Sequence, residues 1–378
     1  MSLFLNIGLI YYLIPYVGAI DNKFGLLFSI LIGRKNHKVK TKGHIINFKS
    51  SQFMVMLDFI AVLMYSVSHK ITPDHKLHIK LDLKNEFILP LDNWSIEDEN
   101  LIKTLFSGSQ FGANFETKPI DFKNFRDKTL VITEKDGKKI IETSRGVKFY
   151  IDSIHPGNTI GEAFVHDIHT VRNDDDYTDK IVVDVGAECG DTALYYASRG
   201  AIVFAFEPMK AHYDAMIRNL TLNPNLSERI TPINAAIGKD GKLKFYHSSI
   251  AEIAGVSSFV YNVHGKEAII FNDVQGYSLS TAIKKFNIPH IDILKTDCKG
   301  CEFFLKEEDL EKVEQVKIEY EAFEYTKHNI TELTNVLDNS GFEYMIYRID
   351  PKKDGYSNSV SGHLFGRKIK AKNQSSKF

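Results

Sequence analysis

The chain has 378 residues, of which 43% are hydrophobic and 25% are charged, a balance typical of globular proteins and a length sufficient for two domains. Its formal net charge is -1, which gives no general field that would attract nucleic acid, so we predict no nucleic-acid partner. Three cysteines are too few for a disulfide scaffold and favour a reducing, cytoplasmic compartment.

The chain begins with an apolar segment, residues 1–35. No charged residue lies in positions 2–20, a stretch about as long as a membrane-spanning helix, but Pro15 would break or kink such a helix. We expect the segment to pack against protein. A membrane span, or peripheral membrane contact through residues 2–33, stays open as an alternative because a basic cluster from Arg34 to Lys42 follows.

Residues 36–148 combine helix-like and strand-like hydrophobic patterns, which predicts an accessory α+β domain. An apolar run predicts a helix over 54–67, and alternation predicts a half-buried strand over 77–83. A second helix is predicted over 96–106. Asp136-Gly137 lies between two β-branched runs, which is typical of a hairpin turn. No recognisable chemistry lies in this region.

From residue 149 to 378, strand-like and helix-like segments alternate. Strands are predicted over 180–185, 201–206, 230–237, 291–296 and 313–320, with helices over 192–198 and 211–222. Such alternation predicts an α/β fold with a doubly wound, mostly parallel sheet, here preceded by the smaller α+β region. Ligands bind such sheets at the carboxyl ends of the strands, so the chemistry should follow each strand.

A glycine-rich loop follows the first of these strands, and its spacing argues against a dinucleotide. That fingerprint would require glycine at positions 186, 188 and 191, and two of the three carry acids instead. The loop suits a ligand without a pyrophosphate. Its candidate cofactor-binding residues are Asp184, Gly186, Ala187, Glu188, Gly190 and Asp191.

The next three strand ends carry further candidates. Glu207, followed by Pro208, stands where an acid can accept two hydrogen bonds from a ribose diol. Asn234 and the small Ala235 leave room for an adenine ring and could read its edge. At the fourth strand end the ionisable side chains are crowded, which is typical of active sites and also of structural ion pairs; they are Lys295, Asp297 and Glu302.

The three motifs at 184–190, 207–208 and 295–302 together resemble the FkbM-type methyltransferase family. The resemblance implies a Rossmann-like class I methyltransferase fold, S-adenosylmethionine as cofactor, and O-methylation of a small-molecule or glycan acceptor, often a sugar. It makes Asp297 the candidate for base or acceptor orientation, with Glu302 and Lys295 supporting it. This sequence departs from the family pattern at four positions. Glu188 stands where the family has an Asn, Lys299 stands where it has a Glu, and Cys298 and Cys301 stand where it has small apolar residues.

Other functions stay open at this stage. An NAD(P)-dependent oxidoreductase could use a similar sheet, and the departures at 188 and 299 would also suit a catalytically inactive cofactor-binding or interaction module. Three cysteines near one sheet edge, Cys189, Cys298 and Cys301, could form a metal or redox site, although small packed residues explain them as well. His166 and His169 could act together, but packing histidines are as simple an explanation. We predict no metal.

Overall fold

The structure is a computed structural model that describes residues 20–66, 68–80, 86–91, 94–95, 98–99, 102, 131–143, 145–153, 163–164, 177–247, 257–258, 262–263, 266–267, 270–322, 328–349 and 360–369. These residues fall into two compact units. The first holds the described residues up to Phe164, and the second holds those from Tyr177 onward.

The helices and strands are numbered separately in chain order. The helices are α1 Lys23–Leu31, α2 Phe53–Tyr65, α3 Asp191–Ala197, α4 Lys210–Leu222, α5 Pro224–Ser227, α6 Leu279–Lys285 and α7 Ile330–Asn339. The strands of the first unit are β1 Asn36–Thr41, β2 His44–Lys49, β3 Ser68–Ile71, β4 Lys76–Lys80, β5 Glu86–Pro90, β6 Val131–Lys135, β7 Lys138–Glu142 and β8 Lys148–Tyr150. Those of the second are β9 Ile181–Val185, β10 Ile202–Phe206, β11 Ile230–Ile233, β12 Ala236–Ile237, β13 Gly241–His247, β14 Ser257–Ser258, β15 Asn262–Val263, β16 Lys266–Glu267, β17 Ile270–Tyr277, β18 Ile291–Thr296, β19 Val313–Ala322, β20 Phe342–Ile349 and β21 Val360–Lys368.

The described part of the first unit contains small antiparallel sheets and the helices α1 and α2. β1 pairs with β2, β3–β4–β5 form a second sheet, and β6–β7–β8 form a third. The predicted hairpin turn is confirmed: Asp136 and Gly137 both have positive φ, 53° and 72°, as a tight turn between right-twisted strands requires. The apolar helix predicted over 54–67 is α2. Only Asp98, Glu99 and Ile102 are described within the helix predicted over 96–106, and all three are helical.

The boundary between the units differs from the predicted one at 148/149. β8 crosses that position and pairs with β7, placing Phe149 opposite Ile141. Both side chains are fully buried, so this strand completes a core of the first unit. The short run Lys148–Tyr150 contains no signal that distinguishes its antiparallel pairing from the start of the α/β region.

The second unit contains a seven-stranded sheet in the order β11-β10-β9-β18-β19-β21-β20. All of its strands run parallel except β21, which is antiparallel to both β19 and β20. The predicted doubly wound, mostly parallel α/β sheet is therefore present. The strand order reverses between β9 and β18, and at such a switch point the loops diverge and leave a crevice for ligand.

Burial of β9 explains why its sequence is a continuous apolar run. All five of its residues are buried, as expected for a central parallel strand covered on both faces. On one face, Val183, Val185 and Leu294 join a core that extends to Leu333 and Leu337 of α7. That packing fixes the relative positions of the strand tips on which the candidate residues stand.

Two parts of the second unit differ from the sequence prediction. The strand expected over 230–237 is two strands, because Asn234 and Ala235 break it and β12 leaves to pair with β17 in a separate four-stranded sheet. The sheet edge made by β20 and β21 was not predicted at all. Among the described residues, no helix has the length and apolar character needed to cross a membrane.

Candidate active site

The loop after β9 is held against the neighbouring strand tips by its backbone. The amides of Gly186 and Ala187 both donate to the carbonyl of Phe206, at 3.0 and 3.1 Å, and the amide of Asp297 donates to Val185 at 2.9 Å. Gly186 has φ +78°, and a Cβ there would overlap the Asp297 carbonyl oxygen. Glycine is required because the loops after β9 and β18 touch through their backbones at the switch point.

A buried ion pair supports the loop after β9 from inside the protein. The Lys295 ammonium lies 3.0 Å from a carboxylate oxygen of Asp184 and donates to the Gly186 carbonyl at 3.0 Å. The Thr192 hydroxyl donates to the other carboxylate oxygen of Asp184. Burial alone would lower the pKa of Lys295, but Asp184 and nearby acids outweigh it and raise that pKa above its usual range. Lys295 therefore stays charged and ties β18 to the first loop.

Glu207, at the tip of β10, is buried and already anchored by the backbone. Its two carboxylate oxygens accept hydrogen bonds from the amide of Glu188 at 2.9 Å and from the amide of Met209 at 2.8 Å. A carboxylate oxygen has more than one acceptor direction, so both can still accept from a ligand hydroxyl. Burial raises the pKa of Glu207 to about 7, although both amide hydrogen bonds act to lower it.

Asn234 and Ala235, predicted to contact adenine, have other partners for their nitrogen donors. The side-chain amide of Asn234 donates to the carbonyls of Glu207 and Pro208, at 2.8 and 3.2 Å. The backbone amide of Ala235 donates to Ile233 at 3.0 Å. Asn234 thus braces the Glu207-Pro208 turn from the neighbouring strand tip, whereas the amide of Ala235 bonds within its own segment.

Acidic side chains converge around the first loop. Burial raises the pKa of Glu188 to about 8, with added repulsion from Asp191, Glu207 and Asp297. Burial likewise raises the pKa of Asp191 to about 7. Because each carboxylate disfavours the ionisation of its neighbours, a cation placed among them would be strongly favoured. Glu188 has φ 43°, a left-handed conformation that Asn tolerates better than Glu.

Asp297, at the tip of β18, belongs to a second charged group centred on Lys299. The Lys299 ammonium lies 3.2 Å from Asp297, 3.2 Å from Glu319 and 3.1 Å from Glu321. Burial would raise the pKa of Asp297, but Lys299, Lys295 and other lysines outweigh it and hold that pKa well below its usual range. Burial raises the pKa of Glu321 despite the contact with Lys299.

Two of these acids were not among the predicted site residues. Glu319 and Glu321 lie on β19, two positions apart, and therefore face the same side of the sheet. The parallel pairing of β18 with β19 brings both acids to Lys299, and only the register of that pairing reveals it.

Glu302, like Asp184, has no exposed surface. Its carboxylate accepts from the amide of Gly300 at 2.8 Å and from the amide of Glu321 at 3.1 Å. Burial raises the pKa of Glu302 to about 8. It joins the loop after β18 to the C-terminal end of β19, and so fixes the separation of Asp297 from the two acids of β19.

Cys298 and Cys301 form a disulfide, and Cys189 lies outside this pair in a buried position. The two sulfurs and the Glu302 carboxylate lie within 4.8 Å of one another, close enough to hold a metal ion. Metals are held by thiolates, however, and the sulfurs of a disulfide are not thiolates. His166 and His169 lie outside the described residues.

The strand tips thus bring together a glycine loop, an anchored acid one strand away, and a carboxylate and lysine group on the other side of the switch point. Residues 184–344 match the family model described as the Methyltransferase FkbM domain. This FkbM match covers every candidate site residue. The match supports methyltransferase activity with S-adenosylmethionine as the cofactor. It does not identify the molecule that accepts the methyl group. The comparison with curated proteins gives no match.

Solved structures with similar folds are distant from the chain. A precorrin-6y C5,15-methyltransferase from Geobacter metallireducens has 11% identity and a TM-score of 0.30, covering 51% of this chain and 81% of its own. TYW2 of P. horikoshii in complex with MeSAdo has 13% identity and a TM-score of 0.33, covering 64% and 72%. A fibrillarin of Methanococcus jannaschii has 12% identity and a TM-score of 0.34, covering 80% and 98%. These values are too low to carry a functional conclusion.

Proposed function

We propose that residues 184–344 transfer the methyl group of S-adenosylmethionine to a hydroxyl oxygen of a sugar, a glycan or another small metabolite. The observation that carries the proposal is the anchored Glu207 beside a cluster of acids with raised pKa values, across the switch point from Asp297. A ribose diol needs a carboxylate acceptor, and a sulfonium with an α-amino group is a cation that suits an acidic loop.

The cofactor would be held by the loop after β9 and by Glu207. Gly186 and Gly190, both with positive φ, let the backbone approach the ligand, and Glu207 would accept the ribose hydroxyls. Asp184 is not placed to accept the ribose hydroxyls, since its side chain has no exposed surface and is bound to Lys295 and Thr192. Asp184 and Lys295 are therefore positioning residues for the loop. The cofactor itself supplies an activated methyl group.

Asp297 would bind the acceptor hydroxyl. Its low pKa keeps it ionised at neutral pH, so it can accept the hydroxyl hydrogen bond and direct an oxygen lone pair toward the methyl group. The same low pKa makes Asp297 a weak base. Glu321 shares Lys299 with Asp297 and has a raised pKa, so it is the better-matched final proton acceptor. Glu302 holds the loop that carries Asp297.

Replacement of Asp297 by Asn tests this assignment. Radiolabelled methyl transfer to a panel of monosaccharides, oligosaccharides and phenols should fall at least about 100-fold in Asp297→Asn, because the amide cannot act as an anionic acceptor. The dissociation constant for S-adenosylmethionine should change less than about threefold. Asp214→Asn, in an exposed ion pair with Lys210, is the matched control and should keep full activity. Loss of cofactor binding in Asp297→Asn would reassign the residue to the cofactor.

A catalytically inactive, cofactor-binding module is a second candidate, favoured by one observation. Lys299 forms ion pairs with the three acids nearest the proposed acceptor position, and the family pattern has a Glu where Lys299 stands. Wild-type protein that binds S-adenosylmethionine but transfers no methyl group to any acceptor in the panel would support this module. Transfer to a carbon or nitrogen atom alone would contradict the O-methylation proposal and leave the methyltransferase intact.

A further inference from the structure

Helix α1 of the first unit has apolar residues on two faces. Leu26 and Ile30 are buried against the unit. Phe24, Phe28 and Ile32 follow one another at intervals of four residues, and they are 78%, 59% and 52% exposed. Residues four apart lie on one side of a helix, so these side chains form a single apolar strip, the α1 strip, and Leu31 extends it at 38% exposure. Large exposed apolar side chains gathered on one surface mark a binding surface.

Basic residues flank the α1 strip at both ends. Lys23 begins the helix, and Arg34 and Lys35 follow its end; all three are exposed. Exposed Lys38 and Lys40 continue the series on β1. Residues 21–49 contain seven lysines and arginines and one acid, Asp21, in a chain whose net charge is -1. The positive charge is therefore concentrated around this strip.

We propose that the α1 strip docks on the surface of an anionic lipid bilayer. The phenyl rings would enter the boundary between headgroups and acyl chains, and the flanking lysines and arginine would lie over lipid phosphates. An apolar face rimmed with basic residues is the combination that places a helix in a membrane interface. Each basic residue near an anionic surface strengthens the attraction to it, so charge and apolar burial act together.

The charge distribution distinguishes a bilayer from a second copy of the chain. In a twofold dimer the same surface lies on both sides of the interface, so the α1 strips of two copies would bring two basic rims together. Like charges placed across an interface disfavour association. An anionic surface instead complements every basic residue of the rim. This inference concerns the first unit alone and does not depend on the methyltransferase proposal.

Sedimentation of the full chain with lipid vesicles tests the proposal. Wild-type protein should bind vesicles of phosphatidylcholine with 30% phosphatidylglycerol at least about tenfold more tightly than vesicles of phosphatidylcholine alone, and binding should weaken as salt increases. The double variant Phe24→Ser/Phe28→Ser should lose at least about tenfold in binding to the anionic vesicles. Residues 1–19 are unchanged in this variant, so the difference would report the α1 strip.

The matched control is Ile88→Ser/Met345→Ser, which removes two apolar side chains that are 46% and 53% exposed elsewhere in the chain. It should bind vesicles as the wild type does. The charge variant Lys23→Gln/Arg34→Gln/Lys35→Gln provides a second test if the serine variant does not fold, as judged by its thermal melting, and should lose the preference for anionic vesicles.

Three results would overturn the proposal. Wild-type protein could fail to bind anionic vesicles, or the folded serine and charge variants could bind as well as the wild type. The third is a wild-type dimer in analytical ultracentrifugation that the serine variant abolishes, without vesicle binding by either protein, which would assign the α1 strip to a second copy.

Discussion

At the residue scale, Lys299 is the most informative departure from the family pattern. A Glu at this position would place four carboxylates at one sheet edge, whereas the ammonium of Lys299 lies 3.1–3.2 Å from three. A lysine instead of a glutamate at position 299 thus replaces repulsion among carboxylates with ion pairing. It also explains how Asp297 stays ionised among other acids.

Removing this charge tests the pairing. Lys299→Met removes the nearest counter-charge from three partly buried acids, and should lower the free energy of unfolding at pH 7 by about 1–3 kcal/mol. Lys306→Met, which breaks a solvent-exposed pair with Glu308, is the control and should change stability by less than about 0.5 kcal/mol. Urea unfolding measures both. Equal effects in the two variants would show that the Lys299 group contributes no more than a surface pair.

The sequence placed the candidate residues at the strand tips, but it assigned some roles that the contacts do not favour. The position of Glu207 was predictable because this acid and Pro208 directly follow an apolar strand. The bracing role of Asn234 was not, because it depends on its amide meeting the Glu207 backbone from a neighbouring strand tip. Likewise Lys295 was grouped with the catalytic candidates, yet its ammonium is paired below the loop with Asp184. These roles depend on which strands are neighbours in the sheet, and the spacing of residues along the chain does not predict that.

At the element scale, the contact between the loops after β9 and β18 sets the geometry of the site. Gly186→Ala would place a methyl group against the Asp297 backbone at φ +78°. We expect a loss of about 2–4 kcal/mol, since the clash is with backbone and adds to the cost of a left-handed alanine.

Gly43→Ala is the matched control for that substitution. Gly43 has φ +81°, and no atom lies within 4 Å of the position of its added Cβ, so this variant carries the backbone cost without the clash. It should lose about 1 kcal/mol. The difference between the two variants in urea unfolding measures the loop contact. A Gly186→Ala variant no less stable than Gly43→Ala would contradict the close approach.

The strands that the sequence predicted best are those that are covered on both faces of the sheet. β9 and β10 are largely apolar because helices or other strands cover them, and a central parallel strand is recognisable in the sequence for this reason. β20 and β21 carry mixed polar and apolar residues, since Met345 and Arg367 are exposed at this end of the sheet. β21 pairs with both β19 and β20, and these pairings join parts of the chain that no local sequence pattern relates.

At the scale of the whole molecule, the buried acids predict how stability depends on pH. Glu188 and Glu302 have pKa values of about 8, and Asp191 and Glu207 of about 7, all above the values expected in the unfolded chain. Between about pH 4.5 and pH 8 the folded state therefore binds more protons than the unfolded state, and stability falls as pH rises. Buried His363, with its pKa lowered to about 4, acts in the opposite direction only below about pH 6.5.

The clearest window is therefore pH 6.5–8.5. The melting temperature without cofactor should fall by several degrees across this range, and saturating S-adenosylmethionine should raise it more at pH 8 than at pH 6.5, because a cation among the acids offsets their repulsion. Glu188→Asn should reduce the slope. A melting temperature that rises with pH across this window would show that these acids are ionised at no cost to folding.

The measurement that tests the central claim most directly is isothermal titration of the protein with S-adenosylmethionine at pH 8. The claim is that acids at adjacent strand tips hold the sulfonium nucleoside. We predict one site per chain, with affinity reduced at least about tenfold in Glu207→Gln, which loses a charged partner for the ribose hydroxyls. A folded wild-type protein that gives no binding heat and no rise in melting temperature, or a Glu207→Gln variant that binds unchanged, would contradict it.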